Sequence, residues 1–120
     1  MSRPEIRIKR AYDAPEADDG LRVLVDRVWP RGRSKDELEI DRWVKSLAPS
    51  TELRQWFNHE PEKWAGFKKQ YFEQLKPQKD QLHALLDEAG EGPLTLVYAA
   101  RDERHNNAVV LREYLRRLRQ

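Results

Sequence analysis

Apolar and polar positions alternate in Ile6-Arg7-Ile8-Lys9, the two-residue period of a half-buried or edge strand. Residues 21–28 contain the continuous run Val23-Leu24-Val25, which fits a strand covered on both faces. The run Leu94-Thr95-Leu96-Val97-Tyr98-Ala99 is the clearest buried strand. Helical spacing dominates the middle of the chain. Trp64, Phe67, Tyr71, Phe72 and Leu75 recur at three- and four-residue steps after Pro61, a residue suited to a first helical position. Pro77 interrupts, and Leu82, Leu85, Leu86 and Ala89 form a second stripe that Gly90 and Gly92 end. A last helix, over about 103–118, would bury Ala108, Leu111, Leu115 and Leu118.

Shorter signals fill the gaps. Residues 13–20 read as a loop, rich in aspartate with Pro15 and Gly20. Ser34-Lys35-Asp36-Glu37 fits a capping box. Pro49-Ser50-Thr51-Glu52 starts a short helix whose apolar side is Leu53, Trp56 and Phe57. Residues 40–47 admit two readings. Trp43, Val44 and Leu47 suit a helix, whereas Ile40, Arg42 and Val44 suit a strand, which is favoured. Strands separated by helical pairs, with a buried strand feeding a final helix, predict an α/β fold. The expected form is a three-layer, open, mostly parallel sheet with helices on both faces, in a single compact domain over 1–120.

Composition narrows the chemistry. The absence of cysteine excludes disulfides, cysteine-ligated metals and thiol nucleophiles. The longest apolar run, residues 94–100, is far too short to span a membrane. Charges near the N-terminus do not fit a secretory signal, so a cytoplasmic location and no membrane partner are expected. The chain has 23 basic and 21 acidic side chains, and a formal charge of +2 does not by itself imply nucleic acid. The distribution is uneven, however. Arg22, Arg27, Arg31, Arg33 and Lys35 cluster in 22–35, and Arg112, Arg116, Arg117 and Arg119 lie near the C-terminus.

In an open α/β sheet, ligands gather beyond the carboxyl ends of the strands. Two segments would lie there. The first holds Asp26, Arg27, Trp29, Arg31 and Gly32, running into the capped helix at Ser34. Guanidinium forks match carboxylate and phosphate geometry, so a small-anion site is physically sensible. Against it, Trp29 could plug the core edge while the arginines pair with acidic neighbours. The second holds Tyr98, Arg101, Asp102, His105 and Asn106. It lacks the glycines of a phosphate loop, and Asp102 could simply cap the last helix. The aromatic corner 56–64, with His59, reads as packing and capping, and His83 as surface.

No serine elbow of the Gly-x-Ser-x-Gly type is present. His59, His83 and His105 have no metal-ligand spacing, so no metal and no cofactor are expected. Acid–base work would fall to His105 with Asp102, or to Asp26.

Four motifs occur in order: Leu-Val-Asp-Arg-Val-Trp-Pro-Arg-Gly at 24–32, Leu-Ala-Pro-Ser at 47–50, Leu-Arg-Gln-Trp-Phe-Asn-His-Glu-Pro at 53–61, and Tyr-Ala-Ala-Arg-Asp-Glu-Arg-His-Asn-Asn at 98–107. Together they resemble the YeaO-like family, a branch of domain-of-unknown-function family 488. The resemblance runs from Ile6 to Leu118. It implies a small bacterial-type cytoplasmic α/β protein and brings no settled activity. A cysteine-bearing branch of that wider family is similar over the same strand and loop. It has cysteine where this chain has Tyr98, and a Cys-His-Arg run near Asn106, Asn107 and Ala108. The thiol chemistry proposed for that branch therefore has no counterpart here. A phenol with an ordinary pKa of about 10 is a poor nucleophile, so Tyr98 is expected to position or donate a hydrogen bond.

The leading expectation is a small-anion pocket. Arg27 and Arg31 would hold the anion, with Asp26, Trp29 and Gly32 beside them. Tyr98, Arg101, Asp102, His105 and Asn106 would form the opposite wall. The alternative is nucleic-acid binding through the basic 22–35 segment and the C-terminal arginines. A third is an interaction module docking a partner through an exposed patch around Trp56 and Trp64.

Overall fold

The computed structural model describes residues 4–119. Four parallel strands form one sheet: β1 (Ile6–Arg10), β2 (Leu21–Leu24), β3 (Arg42–Trp43) and β4 (Leu94–Tyr98). Their order is β1-β4-β2-β3. β4 pairs on both sides, with Ile6 and Leu21 opposite Leu94 and with Ile8 and Val23 opposite Leu96. Every residue of β4 is buried, which explains an apolar run interrupted by Thr95 alone.

Five helices accompany the sheet: α1 (Lys35–Leu38), α2 (Thr51–Phe57), α3 (Trp64–Leu75), α4 (Lys79–Ala89) and α5 (Asn107–Leu118). The α/β architecture expected from the sequence is the one observed, but its two faces are unequal. Ile6, Val23, Val25, Leu94, Leu96 and Tyr98 point to one face. There they share a core with Phe57, Phe67, Tyr71, Leu82, Leu86, Leu111 and Leu115 from α2 to α5. The other face holds a small cluster of Ala11, Leu24, Leu38 and Val97, flanked by Trp29 and Ile40. Of the helices, α1 alone contributes there, through Leu38.

The amino-terminal half of that second face is polar. Asp19 binds Arg22 at 2.7 Å and Lys9 at 3.2 Å, and Thr95 donates to the Asp19 carbonyl at 2.6 Å. The connection from β1 to β2 crosses this face and turns into β2 at Gly20. A Cβ there would sit 2.2 Å from the Pro93 carbonyl oxygen, so glycine is required.

Local signals explain the helix ends. Ser34 and Glu37 form the expected capping box, and the Ser50 hydroxyl accepts from Leu53 N–H. Both readings of 40–47 hold in part: Arg42–Trp43 is a short edge strand, and Lys45–Leu47 is a 3-10 turn. The last helix starts later than expected, at Asn107, because Asn106 caps it by accepting from Val109 N–H at 3.0 Å. Residues 103–106 are loop.

Candidate functional site

β2 and β4 are neighbours, yet the chain leaves them in opposite directions. From β2 it proceeds to β3, and from β4 it proceeds to α5, which packs over β1 and β4. A crevice opens where such connections diverge. Here it is a cavity of about 620 Å³, within the usual size range for a small-ligand site. Its walls come from the loop after β2, from α2 with the turn that follows it, and from the loop after β4.

Asp26 sits at the junction of these walls. One carboxylate oxygen accepts from Ala99 N–H at 2.9 Å, and the other accepts from the Asn107 amide at 3.1 Å. Asn107 also donates to the Val25 carbonyl at 2.9 Å, so its first turn is fastened to the end of β2. Burial pushes the Asp26 carboxyl above its ordinary range. The Ala99 and Asn107 donors and the more distant Arg54 charge oppose that shift without cancelling it.

The loop after Asp26 is pinned by aromatic groups. Trp29 donates its indole N–H to the Arg33 carbonyl at 2.6 Å and meets Trp43 edge-on at 5.3 Å. Trp43 donates in turn to the Asp26 carbonyl at 2.8 Å. Tyr12 lies under the Arg10 and Arg33 guanidiniums and donates to the Arg31 carbonyl at 3.1 Å. Gly32 has a φ of 76°, which lets the loop turn away at this point.

Three arginines reach the cavity wall: Arg27, Arg31 and Arg54. None pairs with a carboxylate among the described residues. Arg27 makes only long contacts of 3.4 and 3.5 Å to the Pro49 and Ala48 carbonyls, and its buried Nε has no partner. The arginines therefore do not pair with acidic neighbours, as the bland reading of this loop required.

On the opposite wall, His105 Nδ1 lies 3.0 Å from an Asp102 carboxylate oxygen, leaving Nε2 unengaged by that aspartate. Its ring meets Trp64 edge-on at 5.2 Å. Asp102 accepts from Arg104 N–H and His105 N–H, which hold its carboxyl below the ordinary range. It caps its own turn rather than α5.

Asp26, Arg27, Trp29, Arg31, His105 and Asn106 line one cavity, bringing together six of the residues singled out from the sequence. The other four do not line it. Gly32 shapes the loop, Arg101 and Asp102 are exposed, and Tyr98 is buried in the main core. Burial raises the Tyr98 phenol, so it is not an accessible reacting group.

Arg54, and Asn58 and His59 from the corner read as packing and capping, also line the cavity, as does Asn107 at the end of the 98–107 segment. Asn58 and His59 both have left-handed backbone, with φ of 47° and 55°. Such consecutive non-glycine residues are uncommon. The Phe-Asn-His-Glu-Pro corner was legible as a turn, but nothing in its spacing showed that it faces β2 and β4 across a crevice.

The two basic segments separate. Arg22 is 3% exposed, with its guanidinium on Asp19 and the Leu38 carbonyl. α5 runs from Asp26 to the other end of the sheet, where Arg116 and Arg119 donate to the Ile6 and Pro4 carbonyls. Trp56 is exposed, but Trp64 is half-buried against Phe57 and Phe67, so they form no continuous exposed patch. Among the described residues, no helix is long and apolar enough to cross a membrane, and no group of three or more His, Asp or Glu side chains is arranged to hold a metal.

Comparison with known proteins places these features in a family. The chain is 45% identical over 113 residues to "Uncharacterized protein YeaO" of Escherichia coli K12, covering 94% of this chain and 98% of that one. It is 40% identical over 110 residues to "Uncharacterized protein Rv3073c" of Mycobacterium tuberculosis H37Rv, covering 92% of each. No solved structure matches it significantly. The family described as "Inactive DUF488-N3 subclade" matches residues 5–120, and the chain belongs to that subclade, the YeaO-like branch of family 488.

Proposed function

We propose that this protein binds a small anionic ligand, bearing a carboxylate or phosphate, in the cavity at the carboxyl ends of β2 and β4. The observation that carries the reading is the set Arg27, Arg31 and Arg54 lining one cavity, none of them paired with a carboxylate among the described residues. Free guanidinium forks beside apolar rings suit an anion attached to an apolar body. His105, oriented by Asp102 through Nδ1, leaves Nε2 as an acceptor in the neutral ring and a further donor when the ring is protonated. The description of the subclade as inactive favours binding over turnover. Nucleic-acid binding has less support, because Arg22 is buried and the C-terminal arginines lie at the far end of the sheet.

The test is a melting-temperature screen against phosphate monoesters and mono- and dicarboxylates, repeated on Arg31→Ala and Arg54→Ala. A ligand at one hundred times its Kd stabilises the fold by about 2.7 kcal/mol, several degrees for a chain of this size. Each variant is expected to weaken binding at least about tenfold, the scale of one charge-assisted contact. A screen without any shift, or binding unchanged in both variants, overturns the reading.

A further inference from the structure

The cavity that holds these arginines also holds a carboxylate, Asp26. A ligand that was only an anion would press its charge toward Asp26, whose hydrogen-bond partners, Ala99 N–H and the Asn107 amide, are both neutral. An ionised carboxylate offers about four lone-pair positions, and these two donors occupy one on each oxygen. No cation pairs with Asp26 among the described residues. The cavity thus has two poles of opposite demand: donors at Arg31 and Arg54, and acceptor capacity at Asp26. Trp29, Phe57 and Phe67 line the same cavity and offer nothing but ring surface and one indole N–H already given to Arg33.

We infer that the ligand is an aminated acid, a small molecule with an ammonium for Asp26, an acid group for Arg31 and Arg54, and an apolar body against Trp29, Phe57 and Phe67. The inference rests on the anion-binding reading and narrows its ligand. The same geometry explains why a carboxylate is tolerated in a wall otherwise built for anions. The ligand's ammonium compensates Asp26 when its acid group meets the arginines. The burial-driven rise of the Asp26 carboxyl fits a group whose counter-charge arrives with the ligand.

Three probes on one skeleton separate the poles: L-phenylalanine carries both, 3-phenylpropanoate lacks the amine, and 2-phenylethylamine lacks the acid. Each is titrated into the protein and followed by backbone amide NMR shifts. Phenylalanine is expected to bind at least tenfold more tightly than either fragment, with shifts at Ala99, Asn107 and Arg54. In Asp26→Asn the advantage over 3-phenylpropanoate should disappear, while 3-phenylpropanoate still binds, which also shows that the variant is folded. If 3-phenylpropanoate binds the wild type as tightly as phenylalanine, this inference fails and the anion-binding reading stands. If none of the three binds, the inference is overturned, and the phosphate and carboxylate screen decides the broader reading by itself.

Discussion

Asp19 and Asp26 flank the same strand, β2, and both are withdrawn from solvent, yet their surroundings are opposite. At the amino end, Asp19 is 4% exposed and receives Lys9, Arg22 and the Glu16 N–H. At the carboxyl end, Asp26 receives two neutral donors, and no arginine pairs with it among the described residues. Burial pushes both carboxyls up. At Asp19 the Glu16 N–H, Lys9 and Arg22 outweigh it and the net direction is down, whereas at Asp26 burial prevails. A saturated charge locks a loop to a sheet. An under-compensated one, set in a cavity, is where a ligand would contribute what the fold leaves out. The comparison separates a structural aspartate from a candidate functional one on grounds that burial alone does not provide.

The largest effect is expected from breaking the saturated end. Asp19→Ala leaves the Arg22 guanidinium buried with the Leu38 carbonyl as its remaining partner. Removing one member of a buried pair costs about 3–5 kcal/mol. Urea denaturation should therefore show a drop of that order, a large fraction of the stability of a domain this size. A loss below about 1 kcal/mol would mean that Asp19 is no more a structural anchor than Asp26.

A smaller effect is expected at the carboxyl end, where short neutral contacts share the load. Asn106→Ala removes the α5 cap to Val109 N–H and the donor to the Asp102 carbonyl. Loss of a cap costs about 1 kcal/mol. The first turn of α5 carries Asn107, so ligand affinity should fall together with stability. Unchanged affinity in a measurably destabilised variant would detach the cap from the site.

Much of this contrast is readable in the sequence, and some is not. β4 is legible because a strand paired on both sides and covered on both faces is mostly apolar, with Thr95 the polar exception that a hydrogen bond to the Asp19 carbonyl satisfies. Ser34 and Ser50 were legible as caps because capping is settled within four residues. Six of the residues singled out line one cavity because the carboxyl ends of parallel strands are predictable positions once the strands are known. Arg22 was misassigned to a basic surface because strand alternation gives the face a side chain takes, not the partner waiting there. That partner, Asp19, arrives on the crossing loop from β1. Arg54 and His59 are not legible as cavity residues for the same reason: only the juxtaposition of α2 and its following turn with the two strand ends brings them to the cavity. Local chemistry was in the sequence, whereas the pairing of distant loops depended on sheet order.

The smallest effect carries the sharpest sign. Asp26→Asn and Asp19→Asn each remove a titrating group at nearly constant size, so each wild-type-minus-variant stability difference isolates one carboxyl. Because the folded state raises the Asp26 carboxyl, its contribution is greatest at low pH and is lost as pH rises through the folded pKa. Because the folded state lowers the Asp19 carboxyl, its contribution is present at neutral pH and is lost as pH falls through the folded pKa. At neutral pH, Asp26→Asn should lie within about 1 kcal/mol of the wild type, since relief of a buried charge offsets one lost acceptor. The Asp26 difference should therefore shrink as pH rises above about 4, and the Asp19 difference should shrink as pH falls below about 4, so the two curves slope in opposite directions on the two sides of the ordinary carboxyl range. Two curves of the same slope would mean that both aspartates are equally compensated by the fold. The reason for expecting a ligand at Asp26 rather than at Asp19 would then be gone.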